Sequence, residues 1–134
     1  MQPQIVLAVA VGGALGTTAR FGIARWMGQQ AGTFPWATWI VNISGSFVLG
    51  LLLTLVLERF PPTRYVRPFA ATGFLGAYTT YSTFAVETDL LVKAGHPRAA
   101  VVYVVASVLG GCVAVWGGIL LASVTRISGK GARR

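Results

Sequence analysis

Acidic residues are nearly missing from this chain. There are three, Glu58, Glu87 and Asp89, against eleven Lys and Arg, so paired-carboxylate catalysis has almost no candidates. Glu87 and Asp89, two apart, project from different faces of any helix. Histidine occurs once, at His96 in a short connection before Pro97, and cysteine once, at Cys112 beside Gly110 and Gly111. A Cys/His metal cluster of recognisable spacing is therefore excluded, and so is a disulfide within the chain. No Ser/His/Asp or Cys/His set can be assembled, which argues against an enzyme. Charge of either sign is scarce: 10% of residues are charged and 54% hydrophobic. An ordinary soluble domain does not have that balance.

What is present is apolar length. Four stretches, about Ile5–Trp26, Trp36–Leu57, Val66–Val92 and Ala99–Val124, each reach the roughly 20 residues that a hydrocarbon core requires. They predict an all-α integral membrane protein: one four-helix transmembrane domain over residues 1–125, then a basic tail, 126–134, that reads as disordered. No internal inverted repeat is visible. The start, M-Q-P-Q, lacks a basic region and no small-residue cleavage site follows, so the first stretch reads as a retained helix. The net charge of +8 is scattered at segment ends, with no basic helix and no interleaved aromatics. It predicts topology and headgroup contact in a lipid bilayer, with no nucleic acid as partner. Seventeen glycines suit close helix contacts, with Gly12 and Gly16 as a G-x-x-x-G pair. Trp36 and Trp39 read as interfacial anchors.

Against this background each polar residue is informative. Thr38, Asn42 and Ser46 recur every four residues and form one stripe on the second helix. Asn42 either glues two helices together or offers its amide as a neutral donor to an anion. Arg20 has apolar residues on both sides; it either snorkels to the interface or lines an aqueous vestibule. Tyr103 and Ser107 make the polar face of the fourth segment. The third segment holds G-F-L-G-A-Y-T-T-Y-S-T-F-A-V-E (Gly73–Glu87), with six hydroxyl-bearing residues in a row, Tyr78–Thr83. Hydroxyls bonding back to their own helix would account for one or two of them. Six, with a carboxylate, point to a glycine-flanked break near Gly76–Thr79 that presents backbone groups to a small ion. Beyond it Tyr81 and Phe84 share one helix face, and Thr80, Thr83 and Glu87 an adjoining one. Asp89 and Lys93, four apart, predict a surface pair of little energetic weight.

Three stretches together resemble one family: G-G-A-L-G-T-T-A-R-F (Gly12–Phe21), W-A-T-W-I-V-N-I-S-G-S-F (Trp36–Phe47) and G-F-L-G-A-Y-T-T-Y-S-T-F (Gly73–Phe84). They are similar to the CrcB/Fluc family of bacterial fluoride channels, over nearly the whole chain. The resemblance implies a broken third helix, an antiparallel (dual-topology) dimer with two fluoride pores, formed with a second copy or with an oppositely inserted homologous chain, and a structural sodium ion at the dimer centre. It implies that Gly76 and Thr79 offer backbone carbonyls to that Na+. Asn42, Tyr81, Phe84, Tyr103 and Ser107 would line the fluoride path, with Thr38 and Arg20 in its vestibule and Thr80, Thr83 and Glu87 as a polar track beside it. It further implies passive export of cytoplasmic fluoride through the bacterial inner membrane. Tyr81 stands where the family usually has Phe, and Gly111 where some members have serine.

The residue types suit that chemistry. A pore for a small, tightly hydrated anion must replace water donors without holding the ion too firmly. Amide and hydroxyl donors do this, and the positive rim of an aromatic ring assists. Sodium, a hard cation, prefers oxygen ligands, which a helix break releases. The alternative is a small dual-topology multidrug transporter, which needs a carboxylate in its first membrane helix. Segment one has none. Orientation is nearly balanced. One side carries Arg59, Arg64 and Arg67, plus four cations after the last helix; the other carries Arg25, Lys93 and Arg98, with Arg20 nearby. If the charges of the tail weigh little, the positive-inside bias almost vanishes, as insertion both ways requires.

Overall fold

A computed structural model describes residues 2–28, 32–58 and 64–131. Helix α1 (Pro3–Met27) starts on a proline, whose missing N–H is no loss in the first turn, and ends at Gly28 with φ 58°. Helices α2 (Trp36–Glu58) and α5 (Pro97–Gly131) are the other long rods. Pro3–Met27, Trp36–Val56 and Pro97–Val124 are each long and apolar enough to cross a membrane. The third segment is different. Its first part, Pro68–Leu75, is π-helical and runs into a single α-helical turn, α3 (Gly76–Tyr78); after two extended residues, α4 (Tyr81–Lys93) begins. The described residues are thus all-helical in their regular structure, with a broken third segment as the sequence predicts.

Glycine decides how the rods pair. An added Cβ on Gly12 would lie 2.3 Å from the Phe69 carbonyl oxygen, and one on Gly16 2.2 Å from that of Phe74. Helix α1 therefore lies backbone to backbone against the π-helical stretch, as small-residue faces permit in lipid. Helix α2 meets α5 in the same way: a Cβ on Gly50 would meet Val115 O at 2.3 Å, and one on Gly118 would meet Phe47 O at 2.2 Å. These two pairs carry the bundle, and α4 closes it against α5. Large apolar side chains such as Leu7, Leu15, Val101, Leu109 and Val113 face outward, while Thr38, Thr80 and Glu87 are buried. That inversion of the soluble pattern is what a lipid solvent demands. The chain is a multi-pass membrane protein.

Two expectations change. Helix α5 continues through Gly131, past Arg126 where the sequence suggests a disordered tail; no proline interrupts the ladder after Pro97. Residues 132–134 lie outside the described ones. Trp39, expected beside Trp36 as an interfacial anchor, instead packs with Phe34 and Phe84 onto the buried cluster of Leu91, Ala100 and Tyr103. Trp36 is 56% exposed, as an anchor would be. Asp89 and Lys93 do form the exposed pair, at 2.7 Å. Arg59 lies outside the described residues.

Candidate functional site

The break falls at Thr79 (φ −73°, ψ 158°) and Thr80 (φ −147°, ψ 125°), both in extended backbone. Four groups hold it. Thr80 caps α4 locally: its Oγ1 accepts from the Thr83 N–H at 3.2 Å and lies 3.0 Å from Thr83 Oγ1. Thr79 Oγ1 donates back to the Leu75 carbonyl at 2.9 Å. From α2, Asn42 engages both backbone groups of Thr80. Its Oδ1 accepts from the Thr80 N–H at 2.8 Å, and its Nδ2 donates to the Thr80 carbonyl at 3.0 Å. From α1, Arg20 Nη1 makes a longer contact, 3.4 Å, to the Thr79 carbonyl.

The Asn42 pairing has two consequences. A backbone N–H can only donate, so the oxygen end of the amide must face Thr80, and the amide's orientation is set by the geometry. One Nδ2 hydrogen goes to the Thr80 carbonyl and the other is left to serve the space beyond. In an unbroken helix, moreover, the Thr80 N–H would bond the Gly76 carbonyl, four residues back. Here it goes to Asn42, so Gly76 O loses its helical donor.

A cavity of about 350 Å³ opens at the break, lined among others by Asn42, Ser46, Gly76, Thr79, Tyr81 and Phe84. No Asp, Glu, Lys or Arg belongs to its lining. The Tyr81 and Phe84 rings are neighbours, 6.0 Å between centroids. Of its lining residues, Gly76 is exposed and Tyr81 is 80% exposed on the single chain. A second cavity, about 230 Å³, is lined by Thr17, Arg20, Thr38, Thr80 and Thr83 together with apolar residues. Thr80 borders both. Arg20 thus turns toward the break.

Beyond Thr83 the buried carboxylate of Glu87 ties three helices. Thr38 Oγ1 donates to its Oε1 and the Tyr103 hydroxyl to its Oε2, each at 2.8 Å. Tyr103 is fully buried, with its ring 5.1 Å from that of Phe84. It stands behind Phe84 at the carboxylate and does not line the larger cavity. One turn further on, Ser107 Oγ is buried with no hydrogen-bond partner among the described residues. Such a hydroxyl costs about 1–3 kcal/mol unless water or an ion meets it.

The structure therefore brings Asn42, Tyr81, Phe84, Gly76 and Thr79 together at one cavity, and Thr38, Thr80, Thr83 and Arg20 at the other. Glu87 and Tyr103 pair behind them. Sequence reasoning passed over Ser44, whose Oγ lies 2.9 Å from the Tyr78 hydroxyl. It is two residues from Asn42, off the four-residue stripe, so periodicity gave no signal. It also missed the reason for Gly45: a Cβ there would lie 2.4 Å from Thr79 Cγ2, so only glycine lets the break rest on α2.

Known proteins resemble this chain over most of its length. The family model described as CrcB-like protein, Camphor Resistance (CrcB), matches residues 7–119. The chain is 49% identical over 121 residues to a protein of Streptomyces avermitilis named Fluoride-specific ion channel FluC 3, covering 90% of this chain and 59% of that one. It spans, in other words, little more than half the length of that relative. It is 46% identical over 117 residues to a FluC 2 protein of Moorella thermoacetica, covering 87% and 94% of the two chains. A FluC 2 protein of Nocardia farcinica is 38% identical over 134 residues, covering 100% and 94%. With the family model spanning most of its length and these relatives alongside, this chain belongs to the CrcB family.

Proposed function

We propose that this chain is the subunit of a fluoride-selective channel that passively exports cytoplasmic fluoride across the bacterial cell membrane. The observation that carries the reading is the larger cavity at the helix break, lined by neutral donors and aromatic rings and by no charged side chain. A fixed cation there would bind the anion and slow its release; the free Asn42 hydrogen and the rims of Phe84 and Tyr81 attract it more weakly. The relatives' names support fluoride as the anion. Arg20 and Thr38, at the second cavity, suit a vestibule that gathers anions before the neutral stretch. Thr80, Thr83 and Glu87 form the polar track, reached from Thr80 through its bond to Thr83. The orphaned hydroxyl of Ser107 is a further donor, whereas the Tyr103 hydroxyl is already given to Glu87 and its ring backs Phe84.

The working unit in this reading is an antiparallel homodimer with two pores. It is supported by the polar groups left uncovered around the break, at Gly76, Tyr81, Ser82 and Thr83, which lipid cannot satisfy and a second copy can. The exposed Gly76, beside the break, suits a structural sodium ion between two copies. Gly76 O has lost its helical donor to Asn42, and Thr79 leaves helical geometry at ψ 158°. These are backbone oxygens, the ligand type a hard cation prefers; Gly76 O fits it directly, and Thr79 O would be shared with the longer Arg20 contact. When bound, the ion would supply positive charge that lessens the cost of an anion in low dielectric.

The test is ion efflux from liposomes holding the purified protein. Rapid fluoride loss with chloride retained is the expected outcome. Equal loss of both anions would defeat selectivity, and proton-coupled uptake of cationic drugs without fluoride loss would favour a multidrug transporter.

A further inference from the structure

We infer that Asn42 is a positioning residue for the cation site as well as a lining residue of the anion path, because it holds open the break that frees the Gly76 carbonyl. The inference rests on the sodium reading above and extends it to a residue that need not touch the ion. The geometry is specific. Thr80 N–H has two acceptors within its conformational reach. One is Gly76 O, in the i to i−4 bond of a continuous helix; the other is Asn42 Oδ1, which holds it at 2.8 Å. Asn42 also occupies the Thr80 carbonyl at 3.0 Å. Both backbone groups of one residue are thus satisfied from α2, so the extended conformation of Thr80 leaves neither unpaired inside the membrane.

Removing the acceptor changes that balance. Without Asn42 Oδ1, the Thr80 N–H would be a bare donor in a low-dielectric setting, and its nearest remedy is to return to Gly76 O. The helix then closes over the carbonyl that the cation needs. The Thr80 side-chain cap and the Thr79 Oγ1 bond to Leu75 also favour the break, but neither takes the Thr80 N–H. Only α2 competes for the Thr80 N–H itself. Gly45, three residues on, permits the close approach by having no Cβ to strike Thr79. One side chain thereby serves two ions of opposite sign: its oxygen end, through Thr80, releases the cation's ligand, and its remaining hydrogen serves the anion's cavity.

The experiment measures the thermal midpoint of detergent-solubilised dimer as Na+ replaces N-methylglucamine, alongside fluoride efflux from liposomes. Asn42→Leu fills nearly the same space and makes neither bond. Asn42→Asp keeps the acceptor for Thr80 N–H and loses the donor. Phe84→Ile damages the anion path and leaves the break alone. The inference expects Asn42→Leu to raise the Na+ concentration for half-maximal stabilisation by about tenfold or more, with stability at saturating Na+ much less affected. Asn42→Asp should stay within about threefold of wild type or respond at lower Na+, while losing fluoride flux. Phe84→Ile should keep the wild-type Na+ midpoint although its flux falls. A wild-type Na+ midpoint in Asn42→Leu would overturn the inference. So would an Asn42→Asp protein as unresponsive as the Leu variant, and that arm decides alone if Asn42→Leu does not assemble. Wild-type protein indifferent to Na+ would overturn the sodium reading beneath it, a distinct result.

Discussion

Tyr103→Phe removes one oxygen atom from the most buried polar pairing in the bundle. The Tyr103 hydroxyl donates to Glu87 Oε2 at 2.8 Å, while Thr38 donates to Oε1 at the same distance. Tyr103 is completely shielded and Glu87 only 6% exposed, so water cannot readily replace the lost donor. A hydrogen bond to a charged group contributes about 1.5–3 kcal/mol, about twice a neutral one. The ring itself stays, packed on Phe34 at 5.2 Å and on Phe84 at 5.1 Å, so no cavity term is added. We expect Tyr103→Phe to lose about 2 kcal/mol of stability, measured by reversible unfolding in mixed micelles. The same substitution in a Glu87→Gln background should cost only about 1 kcal/mol, since a neutral amide meets the hydroxyl there. The difference between the two is the coupling of hydroxyl to charge. If Tyr103→Phe cost less than about 0.5 kcal/mol in both backgrounds, the carboxylate would have other donors and the tie between α4 and α5 would not rest on this bond.

Phe84→Ile should nearly abolish fluoride efflux from liposomes, because an aliphatic chain fills similar space without a positive rim; Tyr81→Phe, on an exposed ring, should retain it. Undiminished flux through assembled Phe84→Ile dimers would reduce Phe84 to packing. Ser107→Ala deletes a buried hydroxyl that has no partner among the described residues, so stability should hold or rise by about 1 kcal/mol while fluoride flux falls. Unchanged flux would remove Ser107 from the path. A cysteine placed at either terminus, in protein whose Cys112 is replaced, should react with impermeant thiol reagents from both sides of the membrane in a population of cells. Labelling from one side alone would contradict insertion in both orientations.

Much of this protein is decided by local properties that a sequence states directly. Apolar run length dictates which stretches can cross a bilayer, and four-residue spacing puts Thr38, Asn42 and Ser46 on one face of α2 without reference to any neighbour. The run from Tyr78 to Thr83 marks the third segment as unable to be a plain lipid-facing helix. What the sequence could not say is which partner each polar group takes, because those partners lie far along the chain. Thr38 meets Glu87 across 49 residues, and Asn42 meets Thr80 across 38. Arg20 reaches Thr79 across 59, which turns it inward when its own helix would allow it to snorkel. The break illustrates the division. Composition places it near Gly76–Thr79, yet the extended residues are Thr79 and Thr80. That position is the one at which Asn42 can pair both backbone groups and Gly45 leaves room, and both reasons belong to a neighbouring helix. A helix opens in lipid only where another element satisfies the freed groups, so tertiary structure alone decided the residue.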